Sequence, residues 1–306
     1  MNNNSFDVPI LLLAFNRPET ICNVFDQIRK IRPETLYIFS DEAREDHPTD
    51  RDLVDTCRLL LQESQINWPC KVERWYPDAH FGKAVGVSSA ISWAFETCDR
   101  LIILEENCLP HPTFFTYCQD LLDKYKSNQR VMHISGLKRS GEQVEGNFDH
   151  SFIHIGDICG WATWKRAWNK FDFWMELFTE AESGKTVKKL LGDGSAAKYW
   201  NDKFCETYLQ EKKTSWYYQW QFALFVNNGL AAIPNVNLIT NIAPDDEDNV
   251  AHNTELQRNL PWLSRSSKVP VVVNRNHNPY NGRPKFARRE RMAKRIFTYV
   301  KSFILK

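Results

Sequence analysis

The feature that most limits what this chain can fold into is an alternation in its first hundred residues. Short apolar runs at 8–15, 35–40, 70–75 and 100–105 are separated by segments at 19–31, 49–63 and 83–97, each long enough for three or four helical turns. The first run, VPILLLAF, has no polar face and reads as a strand covered on both sides, and Pro18 just after it suits the first turn of a helix. Strands alternating with helices predict βαβ units, because parallel neighbours need a long crossover. The expected class is therefore α/β, with a Rossmann-like, mostly parallel sheet flanked by helices and ligands gathered beyond the carboxyl ends of the strands. Polar residues collect at those ends.

Beyond residue 105 the alternation loosens. A helix at 112–125 and a strand at 131–135 precede a polar loop at 141–150 and a short strand at 152–155. Helical segments are expected at 160–168, 196–211 and 216–227, then a strand near 231–233 and an acidic loop at 245–248, so the C-terminal half is helix-rich. The chain divides on this reading into a main domain at 1–256, a linker at 257–285 rich in Asn, Pro and Arg, and a terminal helix at 286–306.

A length of 306 residues with 42% hydrophobic side chains supports a sizeable core and excludes disorder as the main state. Eight cysteines are scattered with no CxxC pair, several inside apolar runs, which suits reduced, buried thiols and a reducing compartment. Residues 1–5 lack a basic and apolar leader, and no apolar stretch approaches the ~20 residues of a spanning helix, so a cytoplasmic protein is expected.

The net charge of +1 conceals an asymmetry, since residues 281–306 carry nine Lys/Arg against one acidic residue. Met292, Ile296, Tyr299 and Phe303 recur at helical spacing there, with Arg288, Arg291, Arg295 and Lys301 mostly on the other side. That is a basic amphipathic helix, suited to an anionic membrane surface at the inner face of the cell membrane or to the chain's own acidic body. No nucleic-acid partner is expected, because the basic charge is confined to the tail and no such motif accompanies it.

The stretch Leu101-Ile102-Ile103-Leu104-Glu105-Glu106-Asn107 ends a buried strand in acidic residues, and Pro112 then opens a helix. Carboxylates in the crevice of a parallel sheet can hold a divalent ion against a diphosphate, and a solvated acidic turn is the plainer reading of the same residues. Strand, acidic triplet and Pro-x-Phe-Phe together resemble the metal and nucleotide motif of GT-A glycosyltransferases, especially the N-acetylglucosaminyltransferase I-like group. Ala14-Phe15-Asn16-Arg17-Pro18, Ile38-Phe39-Ser40-Asp41 and Phe81-Gly82-Lys83 are similar to the nucleotide-contacting segments of that family. Gly160-Trp161-Ala162-Thr163-Trp164 is similar to a segment near the donor sugar in bacterial nucleotide-diphospho-sugar transferases, and Trp216 to Trp220 and residues 237–242 with His252 continue the likeness. The ordered motifs cover residues 8–252.

The resemblance implies a GT-A fold with a nucleotide-binding half at 1–110 and an acceptor half at 111–256. It implies a glycosyltransferase moving a sugar from a nucleotide-diphosphate donor, a UDP-sugar by the family's habit, to a saccharide or lipid-linked acceptor in surface glycan synthesis, with inversion. Asn16, Arg17, Asp41, Lys83 and Glu105 would bind the nucleotide, and Gly160, Trp161 and Trp216 would face the sugars. A Mn2+ or Mg2+ ion would rest on Glu106, Asn107 and His252, although Asn107 stands where the family has Asp and offers a weaker amide oxygen. Candidates for the general base are Asp157, Asp245 and Asp246, none of which transfers by position. Two rival readings stay open. A non-catalytic nucleotide-sugar or carbohydrate-binding module fits Asn107 and the missing base, and a sugar-phosphate nucleotidylyltransferase shares the architecture but has a Gly-rich loop where this chain has Asn16-Arg17-Pro18.

Overall fold

The computed structural model describes residues 6–138 and 149–242. Strands β1 (Ile10–Ala14), β2 (Thr35–Ser40), β3 (Lys71–Trp75) and β4 (Arg100–Glu105) alternate with helices α1 (Pro18–Ile31), α2 (Asp50–Leu60) and α3 (Gly82–Ala94), as the apolar alternation predicts. Two further strands, β5 (Cys108–Pro110) and β6 (Val131–Ser135), flank α4 (Pro112–Lys124). The remainder comprises β7 (His150–Ile153), β8 (Trp161–Trp164), α5 (Lys165–Trp168), α6 (Glu180–Leu191), α7 (Ser195–Leu209), α8 (Tyr217–Val226), β9 (Leu230–Pro234) and β10 (Ile239–Asn241). Among the described residues no helix is long and apolar enough to cross a membrane.

Eight strands form one sheet in the order β3-β2-β1-β4-β8-β6-β9-β7. All run the same way except β8, which pairs antiparallel with β4 and β6, and β7, which pairs antiparallel with β9. This is a Rossmann-like, mostly parallel α/β sheet. β10 and β5 make a separate antiparallel pair.

Side chains alternate across the sheet, and each face of β1 is buried. Ile10, Leu12 and Ala14 join one cluster with Ile21, Val24, Phe25 and Ile28 of α1 and Phe114 and Phe115 of α4. Leu11 and Leu13 join the opposite cluster with Val87, Ala90 and Ile91 of α3. A third cluster, with Phe178, Val187, Trp200, Phe204, Phe222 and Phe225, holds α6, α7 and α8 together.

One expected helix is corrected. The first half of 160–168 is strand β8, and helix begins only at Lys165. The spacing of Trp161, Trp164 and Trp168 matches one helical face, but period two separates the first pair: Trp161 lies on the α3 side and Trp164 on the α4 side. Register with both β4 and β6 decides the matter, since a central strand supplies backbone partners that a helix there would leave unpaired. Helix α6 and strands β5 and β10 were not anticipated. The α6 start carries a readable signal, because Thr179 accepts the Glu182 backbone N–H at its N-terminus.

Candidate functional site

The carboxyl ends of β1, β2, β4 and β6 and the start of β8 meet at one edge of the sheet. α1 leaves β1 on one face and α3 enters β4 from the other, so the crevice between the ends of β1 and β4 is the point where the chain reverses its winding. The expected nucleotide residues lie around it.

Glu106 ties the two strand ends together. Its Oε2 accepts the Phe15 backbone N–H at 2.6 Å, and the Arg17 Nε stands 3.9 Å from Oε1. Burial pushes the Glu106 carboxyl above its ordinary 4.5, opposed by the Phe15 N–H and the Arg17 charge. Next to it, Glu105 faces Lys83, whose Nζ is 3.9 Å from Oε2 and whose side chain is 63% exposed. Both separations exceed hydrogen-bond length, so neither ion pair is tightly locked.

Asp41 ends β2 and serves the start of α3. Its Oδ1 accepts the Glu42 and Phe81 N–H groups at 2.9 Å, and Oδ2 accepts that of Gly82 at 2.9 Å, with the His80 ring 3.4 Å away. Burial raises its pKa, and the three N–H groups and His80 counter it. Gly82 has φ +74, a left-handed conformation that suits glycine. Asn16 donates to Asp50 Oδ1 at 2.9 Å, and Arg44 donates to the same carboxylate through Nε at 2.5 Å and Nη2 at 3.0 Å. The half-buried Phe15 ring has the His80 ring 5.3 Å and the Arg44 guanidinium 5.4 Å from its centroid. Asp50 and His80 were missed because their contacts with Asn16 and Asp41 join segments far apart in the chain, and Arg44 because its pairing with Asp50 six residues on leaves no motif.

Asn107 sits one residue beyond, its Nδ2 donating to Asn241 Oδ1 at 3.1 Å and its carbonyl accepting the Ile242 N–H at 2.9 Å. Among the described residues no three His, Cys, Asp or Glu side chains converge as a metal-ligand set. Glu106 already gives one oxygen to Phe15, and Asn107 is a neutral amide. These residues alone do not fit a hard divalent ion, which takes about six oxygens. His252, Asp245 and Asp246, the linker at 257–285 and the terminal segment at 286–306 lie outside the described residues.

Asp157 is brought to the same edge by the turn before β8 but points inward, 2% exposed, with Oδ1 accepting the Cys159 N–H at 3.0 Å. His133 organises this turn. Its Nδ1 accepts the Trp220 indole N–H at 3.1 Å, which leaves Nε2 to donate to the Asp157 carbonyl at 2.8 Å. Burial holds its pKa down to about 4, so the ring stays neutral at physiological pH. Gly160, at φ +64, packs its Cα against Ile239, and its carbonyl accepts the Gly136 N–H at 2.8 Å.

Trp161 and Trp216 stack on each other at 5.7 Å, and Trp161 also stacks on His133 at 4.8 Å. Both are buried, so neither presents a ring face to solvent, and their indole N–H groups have no hydrogen-bond partner among the described residues. Both belong to the same buried cluster as Ile158 of the turn at 156–160. His150 and His154 are structural, bonded to Asp149 and Tyr125 and to the Gly229 carbonyl respectively.

No protein-family model matches the sequence, and no curated protein matches it either. Among solved structures, glucosyl-3-phosphoglycerate synthase from Mycobacterium tuberculosis in complex with Mn2+, UDP and phosphoglyceric acid is similar at 16% identity and a TM-score of 0.28, over 44% of each chain. The 4-diphosphocytidyl-2C-methyl-D-erythritol synthase from Anaerococcus prevotii is similar at 8% identity and a TM-score of 0.38, over 80% of this chain and 93% of that one. The inositol-1-phosphate CTP transferase from T. maritima is similar at 11% identity and a TM-score of 0.37, over 75% and 85%. The chain spans less than half the length of the first of these. These are distant likenesses, and none assigns an activity, a substrate or a ligand to this chain.

Proposed function

We propose that the chain is a glycosyltransferase that binds a nucleotide-diphosphate sugar, a UDP-sugar by the N-acetylglucosaminyltransferase I-like resemblance, in the crevice between β1 and β4. The acceptor is a saccharide or lipid-linked saccharide. The observation that carries this reading is the pairing of two cations, Arg17 and Lys83, with two carboxylates, Glu105 and Glu106, at the winding reversal of a parallel sheet. Lys83, 63% exposed and 3.9 Å from its carboxylate, can turn toward a phosphate oxygen, and Arg17 sets a second positive charge beside Glu106.

Departure of a nucleoside diphosphate leaves negative charge on its terminal phosphate. Arg17 and Lys83 stabilise that charge, an effect that grows where water is excluded. Phe15, with His80 and Arg44 beside its ring, provides a flat aromatic surface of the kind on which a nucleobase stacks. In this reading Glu105 and Asn107 bind hydroxyl groups of the ribose or the transferred sugar. Proton removal from the acceptor hydroxyl is assigned to a carboxylate among Asp157, Asp245 and Asp246, and Asp157 must leave its present contact with the Cys159 N–H to act. The unpartnered Trp161 and Trp216 N–H groups support a sugar oxygen reaching this side when the turn at 156–160 moves.

The test is turnover of radiolabelled nucleotide sugars by the full chain, followed by release of the nucleoside diphosphate, with and without Mn2+. The reading expects release that rises with acceptor and is lost in Arg17→Ala. Affinity without release identifies a binding module, and pyrophosphate release from a nucleoside triphosphate plus a sugar phosphate identifies a nucleotidylyltransferase. Either result sinks the proposal.

A further inference from the structure

The crevice has a chemical feature that sugar transfer does not use. Cys108 opens β5 directly after Glu105-Glu106-Asn107, and Cys159 directly precedes Gly160. The two are 51 residues apart in sequence, yet their Sγ atoms lie 2.8 Å apart, both thiols being free and buried. None of the other six cysteines has a hydrogen bond to another cysteine thiol among the described contacts; those of Cys22, Cys70 and Cys98 go to backbone carbonyls.

The surrounding packing holds the pair together. β5 is pinned by its antiparallel pairing with β10, in which Cys108 lies opposite Asn241 and Pro110 opposite Ile239. Ile239 in turn presses on Gly160, where an added Cβ would lie 2.6 Å from Ile239 Cγ1, and the Gly160 carbonyl is bonded to the Gly136 N–H. The Cys159 backbone N–H is bonded to Asp157. Each thiol therefore sits on a backbone fixed from at least two directions, and a disulfide bond of about 2.0 Å needs the sulfurs to approach by less than about 1 Å.

We propose that Cys108 and Cys159 are a dithiol that closes to a disulfide, tying the acidic turn at 105–107 to the turn at 156–160. With hydrogen peroxide as the oxidant, one thiol is oxidised to a sulfenic acid with release of one water. The second sulfur then attacks it, forming the S–S bond and expelling a second water. In sum, two thiols and one peroxide give one disulfide and two waters. Hydrogen peroxide is small and uncharged, as access to a buried pair demands, and a thiol reductant reverses the step. The bond fixes two turns that bear candidate site residues, and it makes the redox state of the chain a control on their relative movement. This holds whatever substrate the crevice takes.

The experiment treats the folded full chain with a small excess of hydrogen peroxide, blocks remaining thiols under denaturing conditions, and maps peptides without reduction. The expected result is a Cys108–Cys159 cross-linked peptide as the first disulfide to form, reversed by dithiothreitol. It should be absent from both Cys108→Ser and Cys159→Ser and retained in Cys57→Ser. The oxidised wild type should also unfold at a midpoint higher by about 5 °C or more, because the bond closes a long loop in the unfolded chain. Recovery of Cys108 and Cys159 as two blocked thiols, while Cys22 or Cys70 is oxidised, overturns the proposal, as does a mixture of disulfides with no preferred pair. The wild-type mapping decides the point even if a serine variant fails to fold.

Discussion

Replacing Glu106 separates its structural duty from its charge. In Glu106→Ala the Phe15 N–H loses the Glu106 Oε2 acceptor and Arg17 loses a carboxylate 3.9 Å away. An unsatisfied buried donor costs about 1–3 kcal/mol. In a domain of this size, 2 kcal/mol corresponds to a fall of roughly 4–8 °C in the unfolding midpoint. Glu106→Gln keeps an acceptor for Phe15 and should fall by less than half as much. The pH dependence of the pair carries a definite sign. Burial raises the folded pKa of Glu106 above its ordinary 4.5, so its contribution to stability is present below 4.5 and lost as the pH rises through the folded value. Wild type should therefore lose ground to Glu106→Gln over that interval and keep a constant gap above it. Thermal unfolding followed by near-ultraviolet circular dichroism across this range measures both effects. An alanine variant that unfolds with wild type, or a wild type that gains on the glutamine variant as pH rises, refutes the reasoning.

Further outcomes follow from contacts near the same edge. The Arg44 hydrogen bonds hold the Asp50 carboxyl down at about 2, so its stabilisation is present above 3.8 and lost as pH falls through about 2. Asp50→Asn should cost about 1–3 kcal/mol at neutral pH by chemical denaturation, and a difference from wild type that fails to shrink on acidification would contradict the pairing. Gly160→Ala forces a side chain onto φ +64 and against Ile239, and should cost about 2–4 kcal/mol. In an Ile239→Ala background the same change should cost at least about 1 kcal/mol less, and additive costs would show that the two residues do not touch.

The first hundred or so residues are legible in the sequence because their information is local. A run such as Ile10 to Ala14 with no polar face specifies a strand covered on both sides, and helical segments between such runs leave a parallel sheet as the arrangement that connects them. The polar residues at the strand ends follow from that order, which is why Arg17, Lys83, Glu105 and Glu106 gather at one crevice. The later half was harder to read for the same physical reason. Trp161 and Trp164 share a face in a helix and take opposite faces in a strand buried on both sides, so a segment this short leaves both open, and only pairing with β4 on one side and β6 on the other selects the strand.

What the sequence determined by itself was the class of fold and the edge of the sheet where polar residues gather, because both depend on periodicity and on residues a few positions apart. What only the tertiary structure decided were meetings of residues far apart in the chain: Glu106 with Phe15, Asp41 with the start of α3, and His133 between Trp220 and Asp157. The Cys108–Cys159 pair belongs with these, since two scattered thiols in apolar runs look alike until packing sets them 2.8 Å apart. Such contacts arise from strand register and from close packing at glycines, neither of which leaves a pattern along the chain.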